Sequence, residues 1–238
     1  MTPTFDPAAD LERRTAQLQA RVEELDAFTY TVAHELRAPL QSISGFARAI
    51  ELNDAGELSQ QGRSRLRRVI AAAAQMERLL DDLLALARAD RISLRKQPVA
   101  IDELVREVLR ELRPAYPATR VIVSELPLVH ADPALARQVL VNLVGNALKY
   151  SALAPDPLVQ VALDSDGAFM VTDNGIGFPL AKAQSVFEPF HRVTCDPAYP
   201  GTGVGLAVVR RLLERHGGWI RAHSRDGGPT VFTFSFGD

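Results

Sequence analysis

The sequence predicts an α plus α/β protein: a helical hairpin that forms a four-helix bundle with a second copy, followed by an α/β sandwich. Three observations carry this. Between Leu11 and Ala89 apolar residues recur at steps of three, four or seven, the period of a helix. From Pro98 onward helical segments alternate with short β-rich runs and glycine-containing turns. The stretch from Arg91 to Pro98 carries neither pattern, so the chain divides into a helical lead-in (1–25), a hairpin (26–93) and a sandwich (94–238).

In the hairpin, Leu11, Leu18, Val22, Leu25, Val32, Leu36, Ile43 and Ile50 mark a coiled-coil-like seam on the first arm. After the break "NDAGEL", Asn53 to Leu58, the second arm carries Leu66, Val69, Ala73, Met76, Leu80, Leu83 and Ala87. Nothing within the hairpin is wide enough to cover such a stripe. A homodimeric four-helix bundle covers it, and packing on the second half of the chain is the alternative. Pro39 lies inside the first arm. It removes the bond to the Glu35 carbonyl, at a cost of about 3 kcal/mol in an ordinary helix, so a bend beside His34 is expected.

In the sandwich, helices are expected over Ile101–Arg113, Pro133–Tyr150 and Gly203–His216, with Asp132 as an N-cap, Pro133 at the first helical position, and Gly217 and Gly218 as a stop. Strands are expected over Arg120–Glu125, Leu158–Asp164, Ala168–Thr172, Trp219–Ser224 and Thr230–Phe236.

Composition narrows the function. Of 238 residues, 47% are hydrophobic and 24% charged, enough for a substantial core, and the formal charge of -2 offers no general attraction for nucleic acid or anionic membrane. Cys195 is the single cysteine, which excludes an internal disulfide and a cysteine metal cluster and suits a reducing compartment. No apolar run approaches the ~20 residues of a membrane span. The expectation is a soluble, cytoplasmic chain without membrane insertion.

Four stretches carry chemistry. In "TVAHELRAPLQSI", His34 falls about 200° from Val32 and from Leu36, outside the seam. Glu35 can fix its tautomer and leave the other nitrogen nucleophilic, and Arg37 can meet a phosphate. In "RQVLVNLVGNALKYS", Asn142, Asn146 and Lys149 share a helix face; carboxamide oxygens suit Mg²⁺ completed by phosphates, although a solvated polar face would look the same. In "VTDNGIGF", Asp173 ends a strand, where its carboxylate can accept from an exocyclic amine such as that of adenine; a capped turn is the plainer alternative. In "GTGVGLAVVRRLLERHGG" a glycine loop opens into a helix and exposes N–H groups to phosphate, but no strand leads into it, so a dinucleotide fold is a poor fit.

In this order the elements resemble the catalytic core of a sensor histidine kinase. "HELRAPL" resembles the phosphoacceptor box, "NLVGNALKYS" the Asn box, "DNGIGF" and "GTGVGLAVV" the two Gly boxes, and "FEPFHR" the Phe box. The lead-in with "PGTGVGLAVVRRLLERHGG" is similar to kinases of the phytochrome-related type. The resemblance implies that His34 accepts a phosphoryl group from ATP, with Glu35 taking its proton and Arg37 nearby. It implies that Asp173 binds the adenine amine, that Tyr150, Gly175 and Gly177 line the nucleotide pocket, and that Asn146 with Asn142 supports Mg²⁺. Lys149 and the loop residues Gly201, Thr202, Gly203, Gly205 and Leu206 would face the triphosphate, under a lid between Phe187 and Gly201 in which Cys195 is incidental. The implied partners are a second copy, a response-regulator receiver domain and an upstream sensory domain or input protein. No sensory domain fits within Met1 to Asp26, so the expectation is a fragment or a kinase with separate input. A nucleotide-dependent ATPase or serine kinase lacks a reason for the His34–Glu35 pair, and a coiled-coil dimeriser leaves the glycine boxes unexplained. One departure stands out: many members carry Thr or Asn four residues after the acceptor, where this chain has Ala38.

Overall fold

The computed structural model describes residues 7–54, 56–89, 93–194, 196 and 198–237. The chain divides into two units, Met1–Arg88 and Ala89–Asp238, and each is described by itself.

The first unit is a hairpin of α1 (Pro7–Asn53) and α2 (Gln60–Ala89). α1 continues as helix through Pro39, so the lost bond to Glu35 does not end it. α2 starts on Ser59, whose Oγ accepts from Gly62 N at 3.0 Å as an N-cap. Ala33 and Leu40 pack against Ala73, Leu80 and Leu84, and Arg37 pairs with Asp81 across the arms. Ala47, one further heptad on, is also buried.

The expected stripe is therefore divided: Ala73, Leu80 and Leu83 of α2 lie in the contact between the arms, while other members face outward, as expected of a stripe that the single hairpin does not cover. Val32, Leu36, Ile43 and Ile50 are exposed, Ile43 at 52%, as are Val69 and Met76 on α2. The physical reason is phase. Ala33, Leu40 and Ala47 repeat every seven residues just as Leu36, Ile43 and Ile50 do, and alanines let two arms approach closely, so the small residues take the inner seam. Leu11, Leu18, Val22, Leu25 and Ala87 have side chains outside the described residues.

The second unit is a two-layer sandwich. Its five-stranded sheet has the order β2 (Arg120–Val123), β4 (Leu158–Leu163), β5 (Phe169–Asp173), β7 (Thr230–Ser235), β6 (Trp219–Ser224). β2 and β4 are parallel and the remaining neighbours antiparallel. A separate antiparallel pair joins β1 (Gln97–Ala100) to β3 (Leu128–Ala131). Alternation sets the core face: Val159 and Val161, Phe169 and Val171, and Phe232 and Phe234 are buried. They meet α4 (Pro133–Ser151) and α5 (Gly205–His216), while α3 (Ile101–Leu112) buries Ile101, Val105 and Val108 and packs on α4. α4 contributes Leu140, Leu143, Val144, Ala147 and Leu148.

The ends of α4 and α5 are tied together. Asp132 caps α4, accepting from Ala134 N at 3.0 Å and Leu135 N at 3.3 Å, as its sequence position predicts. Its own N–H donates to Nε2 of the buried His216 at 3.1 Å, and His216 Nδ1 lies 2.7 Å from the Leu212 carbonyl. Gly217, at φ +82°, ends α5, and Gly218 N reaches the Leu213 carbonyl at 2.8 Å.

The α plus α/β class is as expected; beyond shifts of one residue at the ends of α3, α4, β4, β5 and β7, three details differ. β1 and β3 were not expected: each is four residues long, and Pro98 weakens the strand signal of the first. β2 ends at Val123 and not Glu125. α5 begins at Gly205 and not Gly203, because Gly203 takes the left-handed φ of +79°, outside helical geometry.

Candidate functional site

Most of the residues singled out in the second half converge on one end of α4. Asp173 closes β5 and is 3% exposed. Its Oδ1 accepts from Gly175 N at 2.9 Å. Burial pushes its carboxyl up to about 7, partly offset by that hydrogen bond. Asn174 fixes the turn, donating to the Asp156 carbonyl at 2.7 Å and accepting from Leu158 N at 2.8 Å, so the strand end that presents Asp173 is held to the start of β4.

The glycines are required by what they touch. A β-carbon at Gly175 would collide with the Tyr150 carbonyl oxygen, joining the first glycine loop to the end of α4. Gly177, at φ +61°, is pressed instead against the Arg225 carbonyl in the β6–β7 turn, and Phe178 N donates to Ser224 Oγ at 3.1 Å. Its demand is thus that of loop docking on the sheet.

The second glycine loop closes on the same helix. A β-carbon at Gly205 would strike Asn142 Oδ1, and one at Gly201 would lie 3.2 Å from Lys149 Nζ. Asn142 Nδ2 donates to the Gln138 carbonyl at 2.9 Å, which leaves Oδ1 turned to the loop. Asn146 Oδ1 accepts from Lys149 Nζ at 3.2 Å. Thr202 Oγ1 accepts weakly from Val204 N at 3.4 Å, and Leu206 sits half-buried in the first turn of α5.

Lys149 Nζ also lies 4.1 Å from the centroid of the Tyr150 ring. Burial, then the charge of Arg192, lowers the Lys149 pKa to about 8. Burial raises that of Tyr150, with Arg192 opposing and Asp173 adding to the shift. Two residues that the sequence placed only within the expected lid, with no individual role, complete the cluster. Tyr199 packs its ring 5.5 Å from that of Tyr150, and its carbonyl accepts from Arg192 Nη2 at 3.0 Å. The signal for Arg192 was present in "FEPFHR"; for Tyr199 there was none beyond its place before the loop. Just ahead, Phe190 is exposed with φ +64°, a conformation that costs a non-glycine residue about 1–2 kcal/mol. His191 Nδ1 is buried with no hydrogen-bond partner among the described residues. Cys195 lies outside the described residues.

The hairpin residues stand in the other unit. Glu35 is exposed on α1. Arg37 is held by Asp81, so a phosphate would have to compete with that ion pair. His34 lies on α1, its side chain outside the described residues.

Together, Asp173 offers a buried acceptor at one end of the cluster, and Lys149, Arg192 and the second glycine loop offer donors and positive charge at the other. That arrangement suits a ligand with an amine-bearing ring and a polyanionic tail. Among the described residues no group of three or more His, Cys, Asp or Glu side chains could hold a metal ion. A donor set of amides fits a Mg²⁺ ion that keeps water and takes most of its remaining ligands from phosphates. Both carboxamide oxygens are engaged by neighbours, Asn142 Oδ1 packed on Gly205 and Asn146 Oδ1 accepting from Lys149 Nζ, so either would have to give up that contact to hold the ion.

Comparison with known proteins agrees with this chemistry. Residues 24–92 match the His Kinase A (phospho-acceptor) domain, and residues 131–237 match the histidine kinase-, DNA gyrase B-, and HSP90-like ATPase family. The methanogenesis regulatory histidine kinase FilI of Methanothrix harundinacea is 32% identical over 95% of this chain and 26% of its own length. Cyanobacterial phytochrome B of Nostoc sp. is 32% identical over 97% of this chain and 32% of its own. The adaptive-response sensory kinase SasA of Synechococcus elongatus is 30% identical over 97% of this chain and 63% of its own. The chain thus spans about a quarter to a third of the length of FilI and phytochrome B. Full-length ShkA, solved in complex with AMPPNP, superposes with a TM-score of 0.66 at 30% identity, over 87% of this chain and 45% of ShkA. The mycobacterial sensor histidine kinase MprB gives 0.51 at 27% identity, over 58% of this chain and 95% of MprB. With a phospho-acceptor domain followed by an ATPase domain of the histidine kinase type, and such relatives along nearly its whole length, the chain belongs to the sensor histidine kinase family as its catalytic core.

Proposed function

We propose that this chain phosphorylates His34 from ATP and passes the phosphoryl group to an aspartate of a response-regulator receiver domain. The observation that carries the reading is the convergence of Asp173, Tyr150, Lys149 and both glycine loops on one end of α4. Residues 26–93 act as the dimerisation and phosphotransfer domain, 94–238 as the ATP-binding domain, and 1–25 as a helical linker from an upstream sensory domain or input protein.

Each residue acts by ordinary chemistry. The Asp173 carboxylate accepts the adenine amine, with Tyr150, Gly175 and Gly177 shaping the pocket around the base. Gly201, Thr202, Gly203, Gly205 and Leu206 bring backbone N–H groups and the start of α5 to the triphosphate, and Lys149 adds a point charge. Asn146, supported by Asn142, would hold Mg²⁺, which supplies charge neutralisation at the phosphates. A His34 nitrogen forms a bond to the γ-phosphorus as the bond to the ADP oxygen breaks; Glu35 accepts the second imidazole proton. Arg37 contributes a cation near the acceptor once released from Asp81.

The homodimer is supported by the unpartnered stripe of Leu36, Ile43, Val69 and Met76, since a hairpin in water does not keep such a stripe uncovered. No described helix is long and apolar enough to cross a membrane. With one cysteine and cytoplasmic ATP as substrate, the chain is assigned to the cytoplasm. The test is incubation with Mg-ATP: wild type acquires acid-labile, alkali-stable phosphate and His34→Gln does not. Label that survives in His34→Gln would reject the acceptor assignment.

A further inference from the structure

We propose that Tyr199 is a positioning residue for the triphosphate, holding Arg192 and Lys149 together as one cationic receptor. This rests on the ATP reading above and extends it to a residue that none of the motifs contains. Tyr199 is almost wholly buried, and it makes two different contacts with two different elements. Its ring lies against Tyr150 at 5.5 Å with a 31° tilt, and the Tyr150 ring in turn carries the Lys149 ammonium at 4.1 Å. Its backbone carbonyl accepts a hydrogen bond from Arg192 Nη2 at 3.0 Å. A turn bond from Tyr199 N to the Asp196 carbonyl at 3.0 Å holds that carbonyl in place.

The consequence is electrostatic. Arg192 is close enough to Lys149 to act on its charge, and two cations in a half-buried place repel each other. Beside Asn146 Oδ1, which accepts from Lys149 Nζ at 3.2 Å, the group that restrains both is Tyr199, which accepts a hydrogen bond from Arg192 through its carbonyl and braces the aromatic partner of Lys149. A pair of restrained, mutually repelling cations gains most from a ligand with several negative charges, because each added charge is met by groups already in position. Tyr199 should thus influence binding in proportion to the number of phosphates and hardly at all through the base.

The experiment is calorimetric titration of the full chain with AMP, ADP and ATP in Mg²⁺, for wild type, Tyr199→Ala, Tyr199→Leu and Tyr199→Phe, with thermal unfolding of each variant alongside. Loss of the ring removes the brace on Tyr150 and with it on Lys149, and takes away the packing that seats the Arg192-binding turn, so Tyr199→Ala is expected to weaken ATP about tenfold, ADP by less, and AMP by no more than about twofold. Tyr199→Phe, which keeps the ring and the carbonyl, is expected to restore the affinity lost in Tyr199→Ala. If Tyr199→Ala does not fold, Tyr199→Leu, which fills the space without stacking on Tyr150, is read in its place with the same expected order. Equal losses for all three nucleotides would overturn the inference, since a packing or base-stacking role weakens them alike. ATP binding within about twofold of wild type in Tyr199→Ala or Tyr199→Leu would overturn it as well, while leaving the ATP reading intact if Asp173→Asn still loses affinity. A folded wild type that binds none of the three would instead reject the ATP reading, and this inference with it.

Discussion

Asp173 should destabilise the fold that it equips for binding, and the size of the effect follows from its burial. Its carboxyl is moved from an ordinary 3.8 to about 7, chiefly by desolvation. Because the folded-state value is raised, the folded protein holds the proton more tightly than the unfolded chain. The associated stability is fully present below pH 3.8, is lost progressively as pH rises, and is gone above about pH 7. At about 1.36 kcal/mol per pH unit the full loss has a ceiling of ~4 kcal/mol, of which roughly 2.5 falls between pH 5 and pH 8. Asp173→Asn keeps an oxygen for Gly175 N and cannot ionise. Without nucleotide, its stability advantage over wild type should therefore widen from pH 5 to pH 8 by up to that amount, several degrees in melting temperature for a unit of this size. Nucleotide binding should move the other way. The amine needs the ionised carboxylate, so wild-type affinity for Mg-ATP should fall about tenfold from pH 8 to pH 6, and Asp173→Asn should bind weakly at both. Denaturant melts and calorimetric titrations at the two pH values measure both arms. A stability difference that does not change with pH would show that Asp173 does not titrate near 7. Unaltered affinity in the Asn variant would remove it from the base site.

Further perturbations test other parts of the chain. Gly205→Ala should weaken Mg-ATP by more than about tenfold with the hairpin unaffected, because the added methyl collides with Asn142 and pushes the loop off α4; titration of the full chain measures it, and wild-type affinity would refute the packing argument. Ile43→Glu with Met76→Glu should convert the dimer to monomer by light scattering while helicity is retained, and a dimer that survives would place the interface elsewhere. Breaking the exposed Arg37–Asp81 pair with Asp81→Asn should cost no more than about 1 kcal/mol by chemical denaturation, and a larger loss would make the pair a structural tie. Ala38→Thr should accelerate decay of the purified phospho-regulator in ADP and Mg²⁺, because a hydroxyl one turn beyond His34 can orient water and a methyl cannot; fast wild-type decay that the variant does not enhance would assign the water to another group, such as Gln41.

Much of the second unit was legible because its signals are local. Asp132 and Pro133 announce α4, Gly217 and Gly218 end α5, and alternation in "LVQVAL" and "TVFTFS" marks strands with one buried face. The candidate site was legible to the same extent: Asn142, Asn146 and Lys149 share a helix face by spacing alone, and Asp173 falls at a strand end. What could not be read were contacts made across the chain. That Gly177 answers to the β6–β7 turn, that Gly175 answers to a carbonyl on α4, and that Tyr199 backs Tyr150 all depend on neighbours distant in sequence. β1 and β3 were missed for the same reason, since a four-residue strand is specified by its partner more than by its own residues.

The hairpin shows a different limit. A seven-residue repeat establishes that a helix has a seam, and two rows three or four residues apart have the same repeat. On α1 the sequence offers both: Leu36, Ile43 and Ile50 on one phase, and Ala33, Leu40 and Ala47 on the other. Hydrophobicity ranks the first set higher, which is why it reads as the seam, but close approach of two helices is limited by side-chain bulk, and the alanines permit it. The larger residues are then left for a contact that the single hairpin does not supply. Selecting an inner seam of small residues and an outer one of large residues separates two tasks that one stripe could not perform, holding the arms of one chain together and presenting a surface to a second. His34 follows Ala33 directly, so the position on α1 of the proposed acceptor is set by the inner seam even though its own residue type carries no packing signal.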